Sequence, residues 1–101
     1  MANAREVFAD YPQIEVDSAS SAWTRLRFRP TSESRERVTG YVRGELADLP
    51  ADLCEHLALA ADELLGNAME HGSGFNPEGK IAFSLVRTPR LLLFKIEDAG
   101  P

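Results

Sequence analysis

Three stretches of the chain carry a clear periodicity. Between Trp23 and Phe28, the residues Thr24, Leu26 and Phe28 alternate with Arg25 and Arg27, the period of two expected of a strand with one buried face. Pro30 closes the run, and the pattern predicts an edge or half-exposed strand. From Thr31 onward, Val38, Tyr41, Val42, Leu46 and Leu49 recur at spacings of three and four, which predicts an amphipathic helix capped by Thr31 or Ser32 and stopped by Pro50. A second helix opens with Asp52 as cap and Glu55 three residues on, a capping-box spacing with Asp in place of Ser or Thr. It runs to about Glu70 or His71, with Gly72 suited to its stop. Its core-facing arc reads Leu53, Leu57, Ala60, Leu64 and Ala68.

Residues 72–79, Gly-Ser-Gly-Phe-Asn-Pro-Glu-Gly, read as a loop by composition. Beyond them Ile81, Phe83 and Leu85 alternate in one strand and Leu92, Phe94 and Ile96 in another, joined at Thr88-Pro89-Arg90 as a hairpin. The order strand, helix, helix, strand, strand predicts an α+β two-layer sandwich, with helices packed on one face of a mostly antiparallel sheet. Ahead of this, Val7, Phe8 and Tyr11 start a helix that Pro12 ends, and Ile14 and Val16 alternate like a short strand. Residues 1–22 are therefore set apart as an N-terminal segment, and 23–101 as the domain. Gly40 and Gly44 sit one turn apart in the first long helix, each costing about 1 kcal/mol against alanine. Close approach of a neighbouring helix is the expected reason.

With 101 residues and 44% apolar content, the chain supports one core. A formal net charge of -5 is the wrong sign for neutralising phosphates along a duplex, which disfavours direct nucleic-acid binding. The lone Cys54 excludes an intramolecular disulfide, and no apolar run reaches the roughly 18 residues of a membrane helix. The N-terminus lacks the apolar core of a signal peptide, so a cytoplasmic location is expected. The acidity is regional: Glu45, Asp48, Asp52, Glu55, Asp62, Glu63 and Glu70 occur in one stretch that holds no Lys or Arg. Arg25, Arg27 and Arg29 share a parity, as a wet sheet surface or a face that steers an acidic partner.

Candidate chemistry concentrates on the second helix. Glu63, Asn67 and Glu70 lie at i, i+4 and i+7, with His71 next, as one polar stripe. The adjoining apolar arc places Glu63 and Asn67 at the core boundary, whereas Asp52, Glu55 and Asp62 project toward water. Partial desolvation suits Glu63 to accept a proton, and Asn67 offers a neutral oxygen to a hard cation such as magnesium. Asp98 shares the parity of Leu92, Phe94 and Ile96 and points from the core face of the sheet. It either pairs with an arginine or caps a turn before Gly100, or it accepts the exocyclic amine of adenine at a cavity mouth, with Gly100 leaving room for a planar ring. His71 by itself reads as a helix-end residue, and His56 and Cys54 as ordinary helix residues.

In combination and in order, Glu63-Leu64-Leu65-Gly66-Asn67-Ala68-Met69-Glu70-His71-Gly72 and the later Asp98-Ala99-Gly100-Pro101 resemble the N-box and the start of the G1-box of the GHKL (histidine-kinase-like) ATPases. Bacterial anti-sigma-factor serine/threonine kinases are the most similar branch, on the Glu, three residues, Asn-Ala, two residues, His-Gly pattern. The resemblance covers about residues 23–101 and implies a partial Bergerat fold that binds ATP and Mg. It implies Glu63 as general base toward a partner's serine, Asn67 as magnesium ligand, and His71, Asp98 and Gly100 in nucleotide binding, with Asp98 on adenine. The implied partners are a sigma factor and an anti-anti-sigma protein, exchanged in a partner switch that regulates transcription. The sequence stops at Pro101, before the lid and glycine-rich G2 segment of that family. Kinase activity is therefore left open, and the alternative is a sigma- or antagonist-binding module without turnover. An uncovered sheet edge further predicts self-association, as a homodimer or larger. A sensor histidine kinase domain is a lesser possibility, since the His-Gly after the Asn resembles the serine-kinase branch more.

Overall fold

The alternation at Trp23–Phe28 folds as a strand, but not at an edge. The computed structural model describes residues 3–71 and 79–98, with His71 by its backbone alone. In chain order the elements are α1 (Ala4–Val7), β1 (Ile14–Ala19), β2 (Trp23–Phe28), α2 (Ser32–Glu45), α3 (Ala51–His71), β3 (Ile81–Thr88) and β4 (Leu91–Asp98). The four strands lie in sequence order, every neighbouring pair antiparallel. β2 is internal because β1 pairs with its far side, from Ile14 opposite Phe28 to Ala19 opposite Thr24, with a register shift between Val16 and Ser18 that marks a bulge. The helices pack against one face, giving the expected α+β two-layer arrangement.

Local chemistry explains where the elements begin and end. The Thr31 hydroxyl accepts the Ser34 amide at 3.1 Å and caps α2. β3 and β4 close through the pair Thr88–Leu91 around Pro89-Arg90, as the alternation predicted. α3 departs from its expected cap: it starts at Ala51, and the Pro50 carbonyl accepts the Cys54 amide at 2.9 Å. Asp52 thus lies inside the first turn, and the Glu55 carboxylate turns instead to Arg43.

Leu26 and Phe28 of β2, Phe83 of β3, Val38 and Val42 of α2, Leu46 at its C-cap and Leu65 of α3 form the fully buried centre. Beneath α2 the Tyr41 and Thr24 hydroxyls meet at 3.0 Å. Burial pushes the Tyr41 phenol up to about 12, so it stays neutral there. On the opposite face of the sheet, Arg25 and Arg27 engage Asp17, Glu15 and Glu97. The strand arginines are thus matched by acids of β1 and β4, while Arg29 lies beyond the end of β2.

Two expectations about the helices are corrected. The buried stripe of α3 is Cys54, Ala58, Ala61 and Leu65, while Leu53 and Ala60 are exposed and Leu57, Leu64 and Ala68 half-buried. This is one residue out of phase, a rotation of about 100°. Apolar side chains occur around most of this helix, so their period alone does not select a face. Gly40 and Gly44, for their part, meet no neighbouring helix: a Cβ at either position has nothing within 4 Å. α2 faces α3 with the row Arg35, Thr39 and Arg43, which turns the adjoining Gly40 and Gly44 to solvent.

Urea unfolding should therefore show Gly40→Ala more stable by roughly 0.5–1 kcal/mol, the gain of an exposed helical glycine replaced without a clash. In the same assay Leu26→Ala should cost about 3 kcal/mol through the cavity it leaves between sheet and helices.

Candidate functional site

α3 presents its chemistry on two adjacent rows. The first, toward α2, holds Asp62 and Gly66. Arg35 donates from Nε and Nη2 to the two Asp62 carboxylate oxygens at 2.9 and 3.0 Å, and the Thr39 hydroxyl donates to Oδ1 at 3.1 Å. Asp62, expected in water, is half-buried for this reason. Arg43 makes a second fork to Glu55, both contacts at 3.0 Å. Eight residues on α2 span about 12 Å and seven on α3 about 10.5 Å at 1.5 Å per residue, so the two forks match along antiparallel helices. A third arginine, Arg87 of β3, forks onto Asp48 at 2.8 and 2.6 Å.

Gly66 is the glycine whose smallness this row requires. A Cβ there would stand 2.7 Å from Arg35 Nη2, 2.9 Å from Cζ and 3.0 Å from Nη1. The guanidinium, the far end of a flexible side chain, would have to shift by several tenths of an ångström, which strains or displaces its fork to Asp62. Alanine would gain about 1 kcal/mol of helix propensity and lose a half-exposed ion pair worth up to about 1 kcal/mol. The two effects nearly cancel.

The second row holds Glu63 and Asn67, one turn apart. Both are exposed, a correction to their expected place at the core boundary, which follows from the rotated phase of the helix. Among the described residues neither side chain is held by a hydrogen bond or an ion pair, in contrast to Asp48, Glu55 and Asp62. Asp98 ends β4 opposite Ile81, the first residue of β3. It has the core-face parity expected, and its side chain is exposed beyond the buried row. Ile81, the partner of Asp98, also pairs with Phe28, four residues before α2 begins, and the first turn of α2 reaches Asp62 of α3 through Arg35, so Asp98 lies at the end of the sheet nearest that half of α3, and α3 touches β4. Glu63 and Asn67 are thus neighbours, with Asp98 delivered to the same end. His71 is the last residue of α3; its side chain, the glycines of the 72–78 stretch and Gly100 lie outside the described residues.

A family model described as the histidine kinase-like ATPase domain matches residues 25–101. The chain belongs to this family. No curated protein and no solved structure gives a match. ATP binding, usually with magnesium, is a property of histidine kinase-like ATPases as a family. The Asn67 carboxamide agrees with that pairing: exposed on α3, its oxygen suits a hard cation that keeps water and phosphate oxygens for its other positions. Among the described residues no three His, Cys, Asp or Glu side chains gather as an all-protein metal cage, and no helix is long and apolar enough to cross a membrane.

Arg35 and Thr39 belong to no motif, and Gly66 reads from the sequence only as a weak position inside the helix. Their signal was nonetheless present, as facing rows at four-residue spacing: Arg35, Thr39 and Arg43 on α2, and Asp62, Gly66 and Glu70 on α3.

Hydrogen bonding to Arg35 holds the Asp62 carboxyl below the usual carboxylate range, and hydrogen bonding to Arg43, Arg87 and Lys80 does the same for Glu55, Asp48 and Glu15. A carboxylate lowered in the folded state contributes stability that is complete above its unfolded value and lost as pH falls through the folded one. The urea midpoint should hold from neutrality to about pH 5 and then decline below the ordinary values of 3.8 and 4.5. Asp62→Asn should flatten part of that decline. A double-mutant cycle of Arg35→Ala and Asp62→Ala should give a coupling of up to about 1 kcal/mol.

Proposed function

We propose that the protein is an anti-sigma-factor-type protein serine kinase that uses Mg-ATP and switches between a sigma factor and an anti-anti-sigma protein. The observation that carries this reading is the exposed Glu63–Asn67 row at the end of the fold to which β4 delivers Asp98. Asn67 is the residue that would hold magnesium against the nucleotide phosphates, and Asp98 the acceptor for the adenine amine. Bound Mg-ATP supplies the phosphoryl group and neutralises its charge. The chain's own part is positioning and proton transfer. Glu63 stands outside the core with no arginine on it, so a serine hydroxyl on a docked protein can reach it and give up its proton. A macromolecular substrate needs such an open approach. The Asn-Ala, two residues, His-Gly continuation at Asn67–Gly72 supports the serine-kinase branch of the family over its other branches.

Calorimetric titration with Mg-ATP should show tight binding that Asp98→Ala weakens at least tenfold, and Asn67→Ala should remove most of the dependence on magnesium. Binding unchanged by Asp98→Ala would sink the adenine assignment. Transfer of labelled phosphate to an antagonist-type partner should fall about 10²–10⁴-fold in Glu63→Ala, the usual worth of a general base. Partner binding with no transfer by the native chain would mark a binding module without turnover.

A further inference from the structure

The part of α3 that faces the core says little about how the helix is turned about its axis. Its buried stripe is Cys54, Ala58, Ala61 and Leu65, three small side chains and one large. Small residues interlock weakly, so a rotation of some tens of degrees costs them few contacts. Glu63 and Asn67 are directly exposed to such a rotation. A side chain about 6 Å from the helix axis moves roughly 2 Å for a 20° turn, and misplacing a reacting group by 1 Å can cost about 100-fold in rate.

We propose that Arg35 is a positioning residue, which grips Asp62 and lies across Gly66 to fix the rotation of α3 and so the direction in which Glu63 and Asn67 point. Three observations converge on it. The fork to Asp62 is two-pronged, with Nε and Nη2 at 2.9 and 3.0 Å from separate oxygens, which constrains angle as well as distance. The Thr39 hydroxyl, one turn along α2, holds the same carboxylate at 3.1 Å. Gly66 leaves room for the guanidinium against the α3 backbone where any Cβ would stand 2.7 Å from it. Asp62 and Gly66 each immediately precede a residue of the functional row, so whatever fixes the first row fixes the second. Arg43 and Glu55 pin the opposite half of the helix pair, leaving Arg35 to set the half that carries the site.

The functional consequence rests on the Mg-ATP reading above, and the test separates the two. Gly66→Ala is the informative variant, because its gain in helix propensity offsets the lost ion pair and its melting temperature should stay within a few degrees of the native value. The side-chain amide resonances of Asn67, assigned by their loss in Asn67→Asp, should shift or broaden in Gly66→Ala and in Arg35→Ala, and shift less in Arg35→Lys, which keeps the charge without the fork. ATP affinity should be measured with magnesium and with chelator. The enhancement due to magnesium should fall at least tenfold in Gly66→Ala, while affinity in chelator changes less than twofold. A merely structural role for Arg35 would alter both affinities together. Folded Gly66→Ala with unmoved Asn67 resonances and full magnesium enhancement would overturn the proposal. If the native chain binds no Mg-ATP, the nucleotide reading fails and the Asn67 resonances alone decide the positioning role.

Discussion

The arrangement of this protein depends on a carboxylate set between two helices. Asp62 is gripped by Arg35 and Thr39 of α2, and with the parallel fork from Arg43 to Glu55 it sets both the register and the rotation of α3. Hydrophobic burial drives the helix onto the sheet, but a stripe made largely of alanine and cysteine accepts many orientations. Directional hydrogen bonds between charged groups accept few. The apolar core therefore supplies most of the stability, and the polar seam selects the geometry. Such a seam contributes little net energy when half-exposed, and its effect is read in where side chains point more than in the free energy of unfolding.

The same seam sorts the acidic run of the middle segment. Asp48, Glu55 and Asp62 are each taken by an arginine from another element, and each is thereby held ionised. Glu63 is spared because it lies one residue, or about 100°, from the row that faces α2. One helix thus carries, side by side, a carboxylate held by its neighbours and one that is not held among the described residues. Asp62 is half-buried between two donors, whereas Glu63 is exposed. Asn67 stands to Gly66 as Glu63 stands to Asp62, so the site row is the seam row displaced by a single step along the helix.

Much of this was legible in the amino-acid pattern, and the failures share a cause. β2, α2 and the β3–β4 hairpin followed from periods of two and of three to four, because in each the apolar positions occupy one face and polar ones the other. The phase of α3 was misjudged since Leu53, Leu57, Ala58, Leu59, Ala60 and Ala61 surround it, and a helix apolar on most sides announces no preferred face. The place of Glu63 and Asn67 relative to solvent inherited that error. Gly40 and Gly44 were read as a contact because glycine in a helix invites one, yet the contact formed at Gly66 instead, where a guanidinium takes the place of a neighbouring backbone.

By itself the sequence determined the class of the fold, its strands and helices, and the spacing of Glu63, Asn67 and Asp98, since these follow from local stereochemistry and from residue types in order. Only the tertiary structure decided that β2 is flanked on both sides, that α3 turns Cys54 and Ala58 inward, and that Asp62 is held by α2 while Glu63 is exposed. Those outcomes depend on which side chains from distant segments arrive at the same place. Arg35 and Asp62 are 27 residues apart, and the four-residue rows to which they belong do not show which row meets which until the chain has folded.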